Sequence, residues 1–253
     1  MALSAPYKRT IRPFVSGEYF PSDGNGSYPR MGSYSADPKP YIRAFCILQR
    51  DIRRLFEFIF PADENLSTYS EHIGVLLVRT CFEIETNFKA ILRENAHGGD
   101  EDDWKMKTYS IAEKSHRLSQ YHVQLPQWLG TKNVIKPFES WSASQGKLLW
   151  YQDYNKYKHD RVTNLSKANF ANLISAWAGL FVLLSSQYML DEFSDEKQTT
   201  GFADVLPPGE FWHGIGGYLK VKFPQNWTDA ESYNFQLTAA NFSNTHFALN
   251  FPY

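Results

Sequence analysis

The segment 151–161, YQDYNKYKHDR, contains the densest group of side chains that could do chemistry. Asn155 and His159 are four residues apart and share one face if the segment is helical. Histidine is the side chain best suited to proton transfer near neutral pH, and lysine and arginine hold phosphate groups. The neighbouring ridge carries a phenol and two cations: Tyr154, Lys158 and Arg161. The same pattern is also typical of a solvated helix end, where cations interact favourably with the helix dipole.

A second polar face lies on the segment 76–92, LLVRTCFEIETNFKAIL. Arg79 and Glu83 are four residues apart, and so are Glu85 and Lys89. Two interpretations stay open. The pairs are either ordinary surface salt bridges, each worth about a few tenths of a kcal/mol, or polar groups that face the histidine segment.

Three other histidines and one glycine-rich string give no signal of chemistry. His116 and His122 are six residues apart and straddle a predicted helix end, which favours structural roles for both. His213 has no cysteine, aspartate or histidine at ligand spacing, which argues against a metal. The string Gly214–Gly217 precedes a predicted strand rather than a helix, so it indicates a turn and not a dinucleotide-binding loop. We therefore expect neither a metal nor a cofactor.

The composition is that of a globular protein. The 253 residues include 26 Lys+Arg against 27 Asp+Glu, for a net charge of -1, and 43% are hydrophobic. These values exclude wholesale disorder and a global basic field, so any nucleic-acid site must be a local patch. Cys46 and Cys81 lie in apolar helical patterns and indicate small buried side chains in a reducing compartment, not a disulfide.

Hydrophobic periodicity predicts five helices after an irregular N-terminal arm. The arm, residues 1–37, is rich in Gly, Pro, Ser and Tyr, and its aromatic side chains predict that it packs on the rest of the chain. Apolar residues at spacings of three and four indicate helices over about 40–60, 69–95, 104–118, 140–158 and 167–193. The segment 125–137 is predicted as a loop.

The last part of the chain is different in character. Short, aromatic and partly alternating segments predict strands within 216–224, 232–240 and 246–253. We expect a mainly α fold, a helical bundle of four to five helices with a small C-terminal β-rich extension packed on it. The expected organisation is an arm over 1–37, a helical domain over 38–195 and the extension over 196–253.

The stretch Leu173–Leu190 has 18 residues without a charge, which is long enough to cross a membrane. It also contains polar side chains: Ser175, Ser185, Ser186 and Gln187. These favour a buried central helix over a membrane span. The N-terminal residues lack the continuous apolar core of a signal peptide. We therefore predict a cytoplasmic protein without membrane association.

Together, the two polar segments resemble a known family. The segment 76–92 looks like the second core helix of HEPN domains, which presents Glu and Lys to a site. The segment YNKYKHDR resembles the HEPN signature, in which an Arg is followed by a polar residue such as Asn, with a His about five positions after the Arg. Asn155 and His159 match this signature, whereas Tyr154 occupies the position of the Arg. The resemblance covers about residues 40–192.

The resemblance implies an RNA-binding or RNA-cleaving protein of toxin–antitoxin or phage-defence systems. Catalytic HEPN proteins place the signature at a homodimer cleft and cut RNA without a metal, through attack of the ribose 2′-hydroxyl on the adjacent phosphate. The implied catalytic residues are His159 as general acid/base, Asn155 as its orienting partner and Tyr154. The implied substrate-binding residues are Lys158, Arg161, Arg79, Glu83, Glu85 and Lys89; Lys158 and Arg161 supply positive charge, and Glu83 or Glu85 holds a cation in place.

Two alternatives to a nuclease remain. The first is a non-catalytic dimer of the same fold that binds RNA, a nucleotide or an antitoxin-like protein, because Tyr154 brings no positive charge to the site. The second is a structural protein in which YNKYKHDR is only a salt-bridged helix end. The alternatives differ in whether the Asn155/His159 face and the face with Glu83, Glu85 and Lys89 meet in one cleft.

Overall fold

The computed structural model describes residues 1–143, 146–193 and 210–253. Its helices are α1 (Lys39–Leu55), α2 (Glu71–Glu94), α3 (Met106–Tyr109), α4 (Glu113–His116), α5 (Leu149–His159), α6 (Phe170–Tyr188) and α7 (Ala239–Ser243). Its strands are β1 (His122–Gln124), β2 (Val134–Ile135), β3 (Trp212–His213) and β4 (Lys220–Lys222). The prediction of a mainly α protein with a small β component is confirmed.

The two longest core helices begin at side-chain caps. The Ser70 hydroxyl accepts a hydrogen bond from the Ile73 N–H at 3.1 Å, and the Asn169 side chain accepts one from the Asn172 N–H at 3.0 Å. These bonds satisfy donors that a helix start leaves unpaired. The caps therefore fix where α2 and α6 begin. α6 packs against α1, α2 and α5.

α6 forms the centre of the fold. Nearly every side chain along it is buried, including its serines and its glutamine. Within the described ranges it is the one helix that is long and apolar enough to cross a membrane, and most of it lies inside the protein. This burial is consistent with a soluble protein, as the polar residues in the stretch predicted.

Two predicted helices are shorter than expected. α5 begins at Leu149 rather than near 140, because residues 139–142 form a separate 3-10 turn. The predicted helix over 104–118 is divided into α3 and α4 by a 3-10 turn at 110–112. The last long helix, predicted over about 167–193, is observed as α6 and ends earlier, at Tyr188. The first part of the predicted C-terminal extension, 196–209, lies outside the described residues.

The sheet differs from the predicted C-terminal extension. It is antiparallel with the strand order β2-β1-β4-β3, so that two of its four strands come from the middle of the chain. β2 lies within 125–137, which periodicity predicted as a loop. The reason is that strands this short are stabilised by their pairing partners and not by a local pattern.

The predicted C-terminal strands are confirmed in one case of three. β4 lies within 216–224, whereas 232–240 and 246–253 form only isolated bridges to the N-terminal arm and a short helix, α7. Tyr233 forms bridges with both Leu3 and Phe14, and Leu249 forms one with Tyr7. The C-terminal residues therefore hold the arm in place through single backbone contacts.

The N-terminal arm packs into the protein, as its aromatic content predicted. Its buried apolar side chains are Ala5, Ile11, Phe14, Tyr19, Tyr28, Met31 and Tyr34. His116 of α4 contacts the arm, since its Nε2 lies 2.8 Å from the Arg9 carbonyl oxygen. Its Nδ1 lies 2.6 Å from the hydroxyl of the neighbouring Ser115. The structural role predicted for His116 is therefore observed.

Gly74 allows α5 to approach α2 closely. A Cβ at this position would lie 2.2 Å from the Tyr157 hydroxyl oxygen. Gly74→Ala is expected to cost about 1 kcal/mol net, because overpacking costs about 1–3 kcal/mol and alanine returns about 0.5–1 kcal/mol of helix propensity. Urea unfolding measures the change. In a Tyr157→Leu background the cost should disappear, and an equal cost in both backgrounds would refute the packing argument.

Candidate functional site

α5 runs antiparallel to α2, as three contacts along the pair show. Tyr151 contacts Glu85, Tyr157 packs over Gly74, and the Arg161 guanidinium forms an ion pair with Glu71. From the first of these contacts to the last, residue numbers rise on α5 and fall on α2. The end of α5 that carries the signature-like residues therefore lies beside the start of α2.

Glu85 lies beside two tyrosines of α5. The Tyr151 hydroxyl donates to Glu85 Oε1 at 2.9 Å, and Tyr154 lies near the same carboxylate. Burial and the nearby negative charge of Glu85 raise the pKa of both phenols, so that both are neutral. Among the described residues, the hydrogen-bond partner of Glu85 is thus the Tyr151 phenol, where the resemblance implied a cation.

Tyr154 occupies the place of the signature Arg and is buried between α2 and α5. The Lys158 ammonium lies 5.5 Å from the centre of the Tyr154 ring, a cation–π distance worth about 0.5–1 kcal/mol at an exposed site. Lys158 forms no ion pair with any described carboxylate. It therefore contributes positive charge to the surface at this position.

Asn155 and His159 remain accessible on α5. His159 is exposed and Asn155 is half-buried. Neither side chain forms a hydrogen bond or ion pair with another residue of the described ranges. An imidazole and an amide on one helix face are therefore free to contact a ligand, next to the cation of Lys158.

The remaining predicted residues contact other elements. Arg79 Nη1 lies 3.3 Å from Asp51 Oδ2 of α1, and Lys89 Nζ lies 3.9 Å from Asp102 Oδ1 after α2. Burial raises the pKa of Glu83, and the charge of Arg79 opposes that rise. The predicted pairs Arg79–Glu83 and Glu85–Lys89 do not form ion pairs among the described residues.

The two polar faces meet only in part. Glu85 contacts α5 through Tyr151, whereas Arg79 contacts α1 and Lys89 contacts the acidic turn at 100–103. The contacts of the described residues do not bring Glu83 to α5. The resulting site is a charged helix edge, built from α5 and one carboxylate of α2.

Two apolar side chains on α2 are unexpectedly exposed. Val75 is 61% exposed and Phe82 is 62% exposed, and they lie two turns apart on one face. Sequence analysis assigned them no role, although both fall outside the core stripe of the helix. Exposed apolar side chains mark a contact surface where they form a contiguous patch, and single ones are common on protein surfaces.

A metal-binding cluster of three or more His, Cys, Asp or Glu side chains is not found within 1–143, 146–193 and 210–253.

Comparison of the chain with protein-family models, with curated proteins and with solved structures finds no match.

Proposed function

We propose that this protein is a HEPN-like protein that binds single-stranded RNA at the end of α5. The proposal depends on one observation. Asn155 and His159 are accessible and unpartnered among the described residues, and the unpaired cation of Lys158 lies beside them. A cytoplasmic toxin–antitoxin or phage-defence setting follows from the HEPN resemblance and belongs to the proposal.

The chemistry of this edge fits a single strand. Lys158 would neutralise a phosphate, and Asn155 offers an amide for a base edge. Binding of a single strand depends on positive charge at the site itself rather than on the charge of the whole chain. The net charge of -1 therefore does not conflict with RNA binding.

The binding test compares two lysines of the same helix. Lys158→Gln should weaken binding of a short single-stranded RNA about fivefold and reduce the slope of log affinity against log salt by about 0.7, the value for one phosphate contact. Fluorescence anisotropy over a series of salt concentrations measures both. Lys156→Gln is the matched control, because Lys156 pairs with Asp153 at 3.2 Å.

Equal losses in the two variants would contradict a specific phosphate contact by Lys158. An unchanged affinity and salt slope for Lys158→Gln would refute the proposed RNA-binding edge.

Metal-independent RNA cleavage is the second candidate, supported by the accessibility of His159. Its imidazole would move the proton of the ribose 2′-hydroxyl. Tyr154 brings no charge and Arg161 is paired with Glu71, which leaves Lys158, among the described residues of the α5 edge, to stabilise the developing phosphorane. We therefore expect slow cleavage if the protein is active.

The cleavage test uses wild-type protein and His159→Ala in EDTA. Products with 2′,3′-cyclic phosphate ends from the wild type alone would support cleavage by His159. Since His159 is exposed, the variant should unfold at the same urea concentration as the wild type. Cleavage by both proteins would assign the activity to another residue or to a contaminant.

A non-catalytic dimer is favoured by a different observation, the exposure of Val75 and Phe82 on one face of α2. A second copy of the chain or an antitoxin-like protein would cover these side chains. Sedimentation of the wild type and of Phe82→Ser distinguishes the states. A monomeric wild type at the concentration used for RNA binding would separate RNA binding from dimerisation.

A further inference from the structure

The outer face of the sheet carries a cavity of about 540 Å³ that lies apart from the α5 edge. Its wall includes basic, acidic and aromatic side chains: Glu113, His122, Lys136, Glu139, Trp141 and Lys222. Its volume lies within the range of about 300–1,000 Å³ that is typical of small-molecule sites. The spacing of His116 and His122 predicted a structural role for His122, and no local pattern in the sequence indicates this cavity.

Strand register places three of these side chains in one row. His122 of β1 lies directly opposite Lys222 of β4, and the pairing of Val123 with Ile135 puts Lys136 on its other side. Side chains alternate across a strand, and Val123 is buried in the core. The imidazole therefore lies on the outer face between two ammonium groups.

The two lysines of this row differ in their ion pairing. Glu139 pairs with Lys136 at 3.1 Å, and Glu113 accepts a hydrogen bond from the Ser119 hydroxyl at 2.6 Å. Lys222 forms no ion pair within the described part of the chain. Two carboxylates and two ammonium groups line the cavity, and the ammonium of Lys222 is the one without a direct counter-ion among the described residues, so it offers a binding group for an anion beside His122.

The environment of His122 agrees with this conclusion. Partial burial lowers the pKa of His122, and the charges of Lys136 and Lys222 lower it further, while Glu139 opposes them. Protonation of His122 is disfavoured by its two cationic neighbours. A bound anion between them would reverse that preference.

We propose that this cavity binds a small phosphate-bearing molecule whose phosphate group lies between Lys136, His122 and Lys222. The rest of the wall offers neutral hydrogen-bonding groups suited to hydroxyls or amides of such a ligand: Ser119, Gln120, Gln225 and Asn226. Two oxygens of one phosphate can accept from the two ammonium groups, and the imidazole supplies a third contact. The proposal is independent of RNA binding at α5.

The sheet offers a matched pair of lysines for the test. Lys222 lines the cavity, whereas Lys220 lies on the same strand and the same face, opposite Gln124, outside the cavity wall. Calorimetric titration with inorganic pyrophosphate and with AMP distinguishes a free phosphate ligand from a nucleotide. Lys222→Gln should weaken the tighter of the two about tenfold, as expected for loss of one charged hydrogen bond. Lys220→Gln should leave that affinity within about twofold of the wild type.

A second experiment measures the binding of sulfate, which does not titrate in this pH range. Its affinity should increase as the pH falls from about 8 to about 5.5, because the bound anion favours the protonated form of His122, whose pKa is otherwise held below its ordinary value. The other titratable or charged groups facing the imidazole are Glu113, Glu139, Lys136 and Lys222. His122→Gln should flatten the pH dependence. An unchanged dependence in this variant would assign it to the carboxylates and overturn the role of His122.

Three results would overturn the proposal. The first is that neither pyrophosphate nor AMP binds at millimolar concentration. The second is an equal loss of affinity for the ligand in Lys222→Gln and Lys220→Gln. The third is weaker binding of single-stranded RNA by Lys222→Gln, which would make the cavity part of the RNA surface. Failure of RNA binding at α5 is separate, since Lys158→Gln should leave pyrophosphate binding unchanged.

Discussion

Replacing Arg9 with alanine is expected to lower the free energy of unfolding by about 3 kcal/mol. The Arg9 side chain is 1% exposed. Its Nε donates to Glu94 Oε1 at 2.7 Å, and its Nη1 donates to Gln187 at 2.8 Å and to the Tyr188 hydroxyl at 2.5 Å. One residue of the arm thus joins α2 to α6 in the interior.

The magnitude follows from what alanine leaves behind. A carboxylate and an amide lose their charged donor, and the space of a large side chain remains. Glu94 is 19% exposed, so water can reach its carboxylate in part. The expected cost is therefore at the lower end of the about 3–5 kcal/mol typical of breaking a buried ion pair.

Arg30→Ala is the matched control for Arg9→Ala. Arg30 also belongs to the arm and pairs with Asp191, but its side chain is 49% exposed. Its loss should cost less than about 1 kcal/mol. Urea unfolding followed by far-UV circular dichroism measures both variants. Similar costs for the two arginines would show that burial does not set the contribution of Arg9.

Stability is expected to fall by about 3 kcal/mol between about pH 6.5 and pH 4, because His116 is buried in its neutral form. Burial, aided by the charges of Arg12 and Arg9, lowers the pKa of His116 from 6.5 to about 4, although its hydrogen bond with the Arg9 backbone opposes this. The unfolded chain binds this proton first as the pH falls. The native state therefore loses stability throughout that interval.

The control for this dependence is His116→Gln, which removes the titrating group and keeps an amide donor for the Arg9 carbonyl. Other groups titrate nearby. Burial raises the pKa of Glu113, which acts in the opposite direction, and hydrogen bonds from Thr228 and Arg117 lower the pKa of Glu231 to about 2 in spite of its burial.

The contribution of Glu231 is lost only below about pH 4.5. Unfolding midpoints of the wild type and of His116→Gln, measured from pH 7 to pH 4, isolate the histidine as the difference between the two curves. Parallel curves would contradict the assignment.

Local pattern was sufficient to predict the long helices and one face of the candidate site. The stripes of α1, α2 and α6 repeat every three to four residues, and Asn155 and His159 share a face as their spacing predicted. Such patterns depend only on the geometry of a single helix. The uncharged stretch Leu173–Leu190, most of which lies in α6, was also predicted correctly as a buried helix, because it contains polar residues.

The sequence by itself thus determined the helical body, the packed N-terminal arm and the accessible pair on α5. The tertiary structure decided the four-stranded sheet, the hydrogen bond between Tyr151 and Glu85, and the row that places His122 between Lys136 and Lys222. The physical reason is that these contacts join residues far apart in the sequence. Packing and charge between distant segments select the short strands and the side-chain partners, and a local hydrophobic period carries no information about them.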